Sequence, residues 1–266
     1  MPAVIISLLT ALLYLAATAL QLMQIRNHKR GMNRSALALG VVALPLHAIV
    51  AWRGVYRGDS FDFGLFKVAA LLLLLVHAIF LLNVLRRPLQ SQLTVIYPLC
   101  ALAVLITAFG PDYNYRSPTQ SYGLLAHISL SLAAYAVLTL AAVQAILVAL
   151  QDYRLRHHQT RGLVQTLPPL QLMETMLMEL IAVGFILLTI AIFSGALFIE
   201  DMFAQHLIHK TTLTVLAWML FAVLLWGHHK LGWRSQLAAK LTLAGFLALV
   251  LAFFGSKLVL ELILAR

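Results

Sequence analysis

An all-α fold that crosses a bilayer several times is what this sequence predicts, and three observations predict it. Hydrophobic residues make up 62% of the 266 residues and charged residues 11%, against about half and about a quarter in an ordinary globular chain. Mean hydropathy is +0.93, which leaves too little polar surface to cover a soluble core. Several stretches of roughly eighteen or more residues carry almost no charge, the length that crosses a bilayer. Such long apolar blocks exclude a β-barrel, whose strands are short and alternate. The whole chain, 1–266, reads as a single polytopic integral membrane domain with about eight transmembrane helices.

The elements follow in order. Span 1 covers 3–25; no Lys or Arg precedes Arg26, so it lacks the charged start of a signal peptide and reads as a retained span. Span 2 covers 35–53 and holds His47 shortly before Trp52 and Arg53. Span 3 covers 63–85, with His77 near its middle, and span 4 covers 93–110, with Cys100. Span 5 covers 123–150 and opens on His127. The longest connection, about 151–172, ends on Pro168-Pro169, which suits the start of the next helix. Span 6 covers 173–199, and span 7 covers 211–229 and ends on His228-His229. Span 8 covers 238–264, where Lys257 and Glu261 stand four residues apart and can neutralise one another on one face. No internal repeat and no low-complexity tract is present.

The loops set the orientation. Arg26, Lys29, Arg30 and Arg34 follow span 1; Arg86 and Arg87 follow span 3; Arg154, Arg156 and Arg161 follow span 5; Lys230 and Arg234 follow span 7. Asp152 is the one acid on that side, whereas the opposite loops mix Asp59, Asp62, Asp112, Glu200 and Asp201 with a few bases. The basic side is therefore expected in the cytoplasm, with both termini facing outward. This accounts for the net charge of +10 without any nucleic-acid partner. One cysteine permits no intrachain disulfide, no CxxC thiol pair and no CxxCH haem attachment. The chain is thus neither a dithiol oxidoreductase nor itself a c-type cytochrome.

Ionisable residues inside spans are costly and invite a functional reading. His127 shares a face with Ser131 and Tyr135, one and two turns on. The small residues Ala126, Ser129, Ala133 and Ala134 allow close approach to a neighbouring helix. A neutral imidazole bonded to another helix and a ligand or proton carrier both fit. His47 lies at similar depth, and two imidazoles from different helices are what bis-histidine haem ligation uses. His77 has no polar neighbour on its own face and reads as a packing histidine. His206 and His209 are three residues apart in an outer loop, where solvation and ligation are both open. His228-His229, beside Lys230, suits an interfacial anchor or a helix C-terminal dipole partner. Glu179, near the inner start of span 6, needs a partner. No chain of intramembrane carboxylates crosses the bilayer, which argues against a proton pump.

The second half resembles a known family. The run His127-Ile-Ser-Leu-Ser-Leu-Ala-Ala-Tyr135-Ala is similar to the His-x(7)-Tyr-Ala signature of the cytochrome c assembly (CcsA/ResC/HemX-like) integral membrane proteins. Leu167 to Glu174, Leu188 to Gly195, Ala217-Trp218 through His228, Gly232 to Arg234 and Ala244-Gly245 through Lys257 follow in the same order. The likeness covers about 120–262 and is nearest to the YpjD/HemX branch of small eight-span members. It implies a haem-handling scaffold in a bacterial inner membrane, haem b as cofactor, and partners in cytochrome c maturation or haem synthesis. It makes His127 the first outward ligand, with His47, His228, His209 and His206 as further candidates. The chain departs from the pattern in two places. The outer loop Glu200–Lys210 has no tryptophan, with only Lys210 matching the motif lysine, and the end of span 8 has no histidine.

The expected function is haem handling in cytochrome c assembly, or haem binding. The alternatives are a membrane regulator or scaffold without haem, which would present the loop Arg154–Arg161 to a cytoplasmic enzyme, and a small-molecule transporter. No nucleophile, base and orienting group stand together, so an enzyme is not expected.

Overall fold

The computed structural model describes residues 2–27, 33–56, 58, 61–84, 90–110, 121–158, 167–198 and 208–258. Among these, eight long helices form, seven of them long and apolar enough to cross a membrane. The chain divides into two compact units, Met1–Thr119 with His157–Pro168, and Gln120–Arg156 with Pro169–Arg266.

The first unit is built from α1 (Pro2–Arg26), α2 (Arg34–Val55), α3 (Leu65–Val84) and α4 (Leu93–Phe109). α1 packs on α4 and α2, and α3 packs on the same two helices. Asn33 starts α2: its carboxamide oxygen accepts from the Ser35 and Ala36 amides at 3.0 and 3.2 Å. That satisfies two amides that a helix start otherwise leaves open. The Asn33 amide in turn donates to Gln21 of α1 at 3.0 Å, which pins the first turn. α4 has only 17 residues, a rise of about 26 Å; the 3-10 turn Gln90–Gln92 precedes it. Gly40 lets α2 lie against Tyr97 of α4, since a Cβ there would stand 1.9 Å from the Tyr97 hydroxyl.

The second unit holds α5 (Tyr122–Arg156), α6 (Leu170–Phe198), α7 (Ile208–Leu231) and α8 (Ser235–Val250). α8 runs on through a π turn, Leu251–Gly255, into Ser256–Leu258. α5 is the central element, packed on α6 and α8, and its buried residues lie between Leu132 and Asp152. At 35 residues it outruns the expected 123–150. Its C-terminal end is polar, with Arg156 bonded to Asp152 one turn back at 3.0 Å. α6 starts directly after the proline pair, with the Met173 amide donating to the Pro169 carbonyl at 3.2 Å. Gly184 receives Leu138 of α5, and Gly227 receives the Trp233 ring; a Cβ at either would lie within 2.5 Å of that side chain. Small residues at helix contacts are how membrane helices approach closely, because lipid supplies no hydrophobic drive between them.

Candidate functional site

Each unit carries histidine at its core, in a different way. In the first unit a polar stripe runs along α1. Ser7, Thr10, Tyr14, Thr18 and Gln21 are all buried and recur at helical spacing. Tyr14 is the centre of a four-ring cluster. Its hydroxyl lies 3.0 Å from Nδ1 of His47 on α2 and 2.7 Å from Nδ1 of His77 on α3. Tyr97 of α4 completes the group, with its ring centroid 5.4 Å from Tyr14 and 5.2 Å from His77. All four side chains are fully enclosed.

Hydrogen-bond arithmetic constrains the tautomers. One hydroxyl has one proton, so it can donate to at most one of the two Nδ1 atoms and must accept N–H from the other. At least one of the two histidines therefore carries its proton on Nδ1 and keeps a bare Nε2. Both Nε2 atoms and the Tyr97 hydroxyl are buried without a hydrogen-bond partner among the described residues. His77, expected as a packing histidine with no polar neighbour on its own face, is buried and hydrogen-bonded. Its polar neighbour comes from α1, 63 residues away in sequence, and not from its own helix. Cys100 is buried nearby, with Sγ 3.6 Å from the Leu73 carbonyl.

In the second unit His127 of α5 points at α6. Its Nδ1 lies 3.0 Å from the Ala191 carbonyl and 3.1 Å from Ser194 Oγ. A carbonyl only accepts, so Nδ1 carries the proton. Ser194 Oγ donates its own proton to that same carbonyl at 2.8 Å and is left as an acceptor for the imidazole. Neutral His127 then presents a lone pair on Nε2, on a side chain that is only half-buried. Gly195 makes room: a Cβ there would lie 3.0 Å from Cε1 and 3.3 Å from Nδ1 of the ring. An imidazole whose Nδ1–H is held by a carbonyl while Nε2 is bare has the arrangement a metal ligand needs.

The face that His127 shares with Tyr135 in sequence is split in three dimensions. Eight residues rotate a helix by about 80° beyond whole turns. His127 therefore meets α6, whereas the Tyr135 hydroxyl donates to the Leu249 carbonyl of α8, beside the π turn. His228 uses Nδ1 on the Trp233 carbonyl at 2.8 Å and ties the turn between α7 and α8. His209 is exposed on the first turn of α7. His206 and Glu261 lie outside the described residues; Lys257 stands over the Phe253 ring at 5.5 Å. His47 belongs to the first unit and His127 to the second.

A haem iron is the group to test against these residues. His127 fits on its fixed tautomer and available Nε2, whereas the fully enclosed His47–His77 pair has at least one bare Nε2 but no open face toward a porphyrin. Among the described residues no cluster of three or more His, Cys, Asp or Glu gathers for a different metal. Tyr14 and Tyr97 were missed by sequence reasoning, and His77 was read as packing only. The polar stripe of α1 was the available signal, since five buried polar residues at helical spacing in an apolar span need partners on other helices.

Comparison with known proteins agrees with this scaffold. Residues 35–264 match the family described as "Cytochrome C assembly protein", and the chain belongs to that family. It is 31% identical to the "Inner membrane protein YpjD" of Escherichia coli strain K12, over 97% of this chain and 99% of the relative. It is 33% identical, over 52% of each chain, to an "Uncharacterized 28.8 kDa protein in nifR3-like 5'region" of Azospirillum brasilense. No solved structure matches. Family and span count together support a haem-related role in a membrane.

Proposed function

We propose that this member of the cytochrome c assembly family resides in a bacterial inner membrane, binds haem b through His127, and handles it in support of c-type cytochrome assembly. The observation that carries the reading is the orientation of His127. The Ala191 carbonyl and Ser194 hold its Nδ1–H, and Gly195 leaves the ring its space. This holds the imidazole ready before anything binds, which lowers the ordering cost of ligation. Haem, when bound, supplies the iron that accepts the Nε2 lone pair. In the first unit Tyr14 fixes at least one Nδ1–H of the His47–His77 pair, but both imidazoles are fully enclosed, which favours His127 as the seat. His209, with His206 in the same segment, is a further axial candidate, and His228 is committed to its turn by the Trp233 carbonyl.

The test is optical. Protein purified in mild detergent and titrated with haem should develop a low-spin Soret band, and His127→Ala should lose it. A band unchanged by His127→Ala would move the site to the first unit. No band in the wild type would favour the haem-free regulator, whose contact surface is the basic segment Arg154–Arg161.

A further inference from the structure

At one end of the first unit the four helices leave a cavity of about 240 Å³. Its lining comes from the start of α1, the end of α2, the start of α3 and the end of α4. All four ends meet at one level of the bundle, so the cavity lies at one membrane face. An aromatic group beside it marks the same depth. Trp52 and Tyr56 are exposed and stack at 5.1 Å, and Phe61 sits edge-on to Trp52 at 6.5 Å. Such aromatics mark the level of lipid headgroups.

The cavity has two chemical parts. Ile49, Phe66 and Ile106 give it apolar walls, whereas Arg53 and Lys67 are its two cations. The cations differ. Lys67 is nearly buried and its ammonium is bonded to Asp62, so that pair is neutral overall. Asp62 is itself held in place, accepting from the Gly64 amide at 3.0 Å. Arg53 is exposed and meets no carboxylate among the described residues. Among the described residues the lining therefore carries one uncompensated positive charge, on a group whose planar fork suits phosphate oxygens. Ile49 and Arg53 stand four residues apart on one face of α2. Along the helix an apolar contact is thus followed by a cation about 6 Å nearer the helix end. Thr107 keeps the α4 side of the cavity in place, since its hydroxyl donates to the Ala103 carbonyl at 2.8 Å and reaches the Phe66 carbonyl at 3.3 Å.

We propose that this cavity is a binding site for one anionic phospholipid, with the headgroup phosphate on Arg53 and the start of an acyl chain along Ile49, Phe66 and Ile106. The volume suits a headgroup and its first methylenes, being smaller than the roughly 300–1,000 Å³ of sites that enclose whole drug-sized ligands. One net positive charge matches the single negative charge of a phosphodiester. The site is separate from the histidines of both units.

The experiment uses the full chain, delipidated in mild detergent and titrated with phosphatidylglycerol or phosphatidylcholine under native mass spectrometry. The wild type should retain phosphatidylglycerol on the order of tenfold more tightly, as one charge-assisted bidentate contact allows. Arg53→Gln should bring the two lipids to parity with an unchanged melting temperature, because the side chain is exposed. Ile106→Trp, which fills the cavity, should weaken both lipids. A phosphatidylglycerol preference that survives Arg53→Gln within about twofold would overturn the proposal, since Arg53 would then be only an interfacial anchor. Displacement of the lipid by millimolar inorganic phosphate would overturn the lipid assignment in favour of a soluble oxyanion. Were Arg53→Gln to misfold, Ile106→Trp decides alone: binding unchanged from wild type would refute the cavity as the seat.

Discussion

Tyr14→Phe removes one oxygen atom from the core of the first unit and strands two imidazoles at once. In the wild type that hydroxyl serves His47 at 3.0 Å and His77 at 2.7 Å. Phenylalanine keeps the ring, so the packing against Tyr97 at 5.4 Å is retained and no cavity larger than an oxygen opens. What is lost is two buried hydrogen bonds, and among the described residues neither Nε2 makes a hydrogen bond of normal geometry that would compensate. Interhelical hydrogen bonds in membranes average about 0.6 kcal/mol and reach about 1.7 kcal/mol. A buried group left without a partner tends to the upper value. Two such bonds give a loss of roughly 1–3 kcal/mol. The assay is reversible unfolding in mixed micelles, followed by circular dichroism. A second variant tests the cause. Tyr14→Phe with His47→Leu and His77→Leu removes every polar group of the triad, and replacing all partners by apolar groups of similar size is close to neutral. The triple variant should regain at least half of the stability lost by the single one. A single variant within about 0.5 kcal/mol of wild type, or a triple variant less stable than the single, would refute the hydrogen-bond account.

Four further outcomes are expected. Gly40→Ala should destabilise the first unit by about 1–3 kcal/mol through overpacking, because its Cβ would stand 1.9 Å from the Tyr97 hydroxyl; adding Tyr97→Leu should relieve most of this in a thermal melt. Gly195→Ala should weaken haem uptake several-fold at nearly unchanged stability, by pressing a methyl against His127 at 3.0 Å; a titration indistinguishable from wild type counts against His127 as ligand. Reporter fusions after Arg30, Arg87, Arg156 and Lys230 should all read cytoplasmic, and two reading periplasmic would reverse the orientation argued from loop charge. Deleting the protein should lower haem-stained c-type cytochromes modestly or not at all, because the loop Glu200–Lys210 has no stacking tryptophan; complete loss would show that motif to be dispensable for delivery.

Much of the fold was legible before any coordinates. Span length, apolar content and the Pro168-Pro169 helix start are local properties, and α6 does begin at Leu170. The boundary errors are local too. α5 continues to Arg156 because Asp152 and Arg156 support its polar end, a pairing that a hydropathy threshold does not register. His127 was legible as a candidate because its motif and the small residues around it lie within ten residues of one another. His77 was not, because its own helix face carries nothing polar and its partner stands on α1.

The sequence by itself thus determined the class of molecule, the number of apolar helices, the asymmetry of their loops and the prominence of His127. Each depends on spacing along one helix, where 3.6 residues per turn and the bilayer thickness set the answer. Only the tertiary structure decided which polar groups meet. Tyr14 joins residues 33 and 63 positions away, and His127 finds its acceptors 64 and 67 positions on. Those meetings depend on how each helix is rotated about its axis. In a bilayer that rotation is set by close packing at residues such as Gly40, Gly184 and Gly195, and by the need to satisfy buried polar groups, not by an apolar stripe seeking a core. The sequence carries those glycines and that polar stripe, but which neighbour each one faces is a property of the assembled bundle.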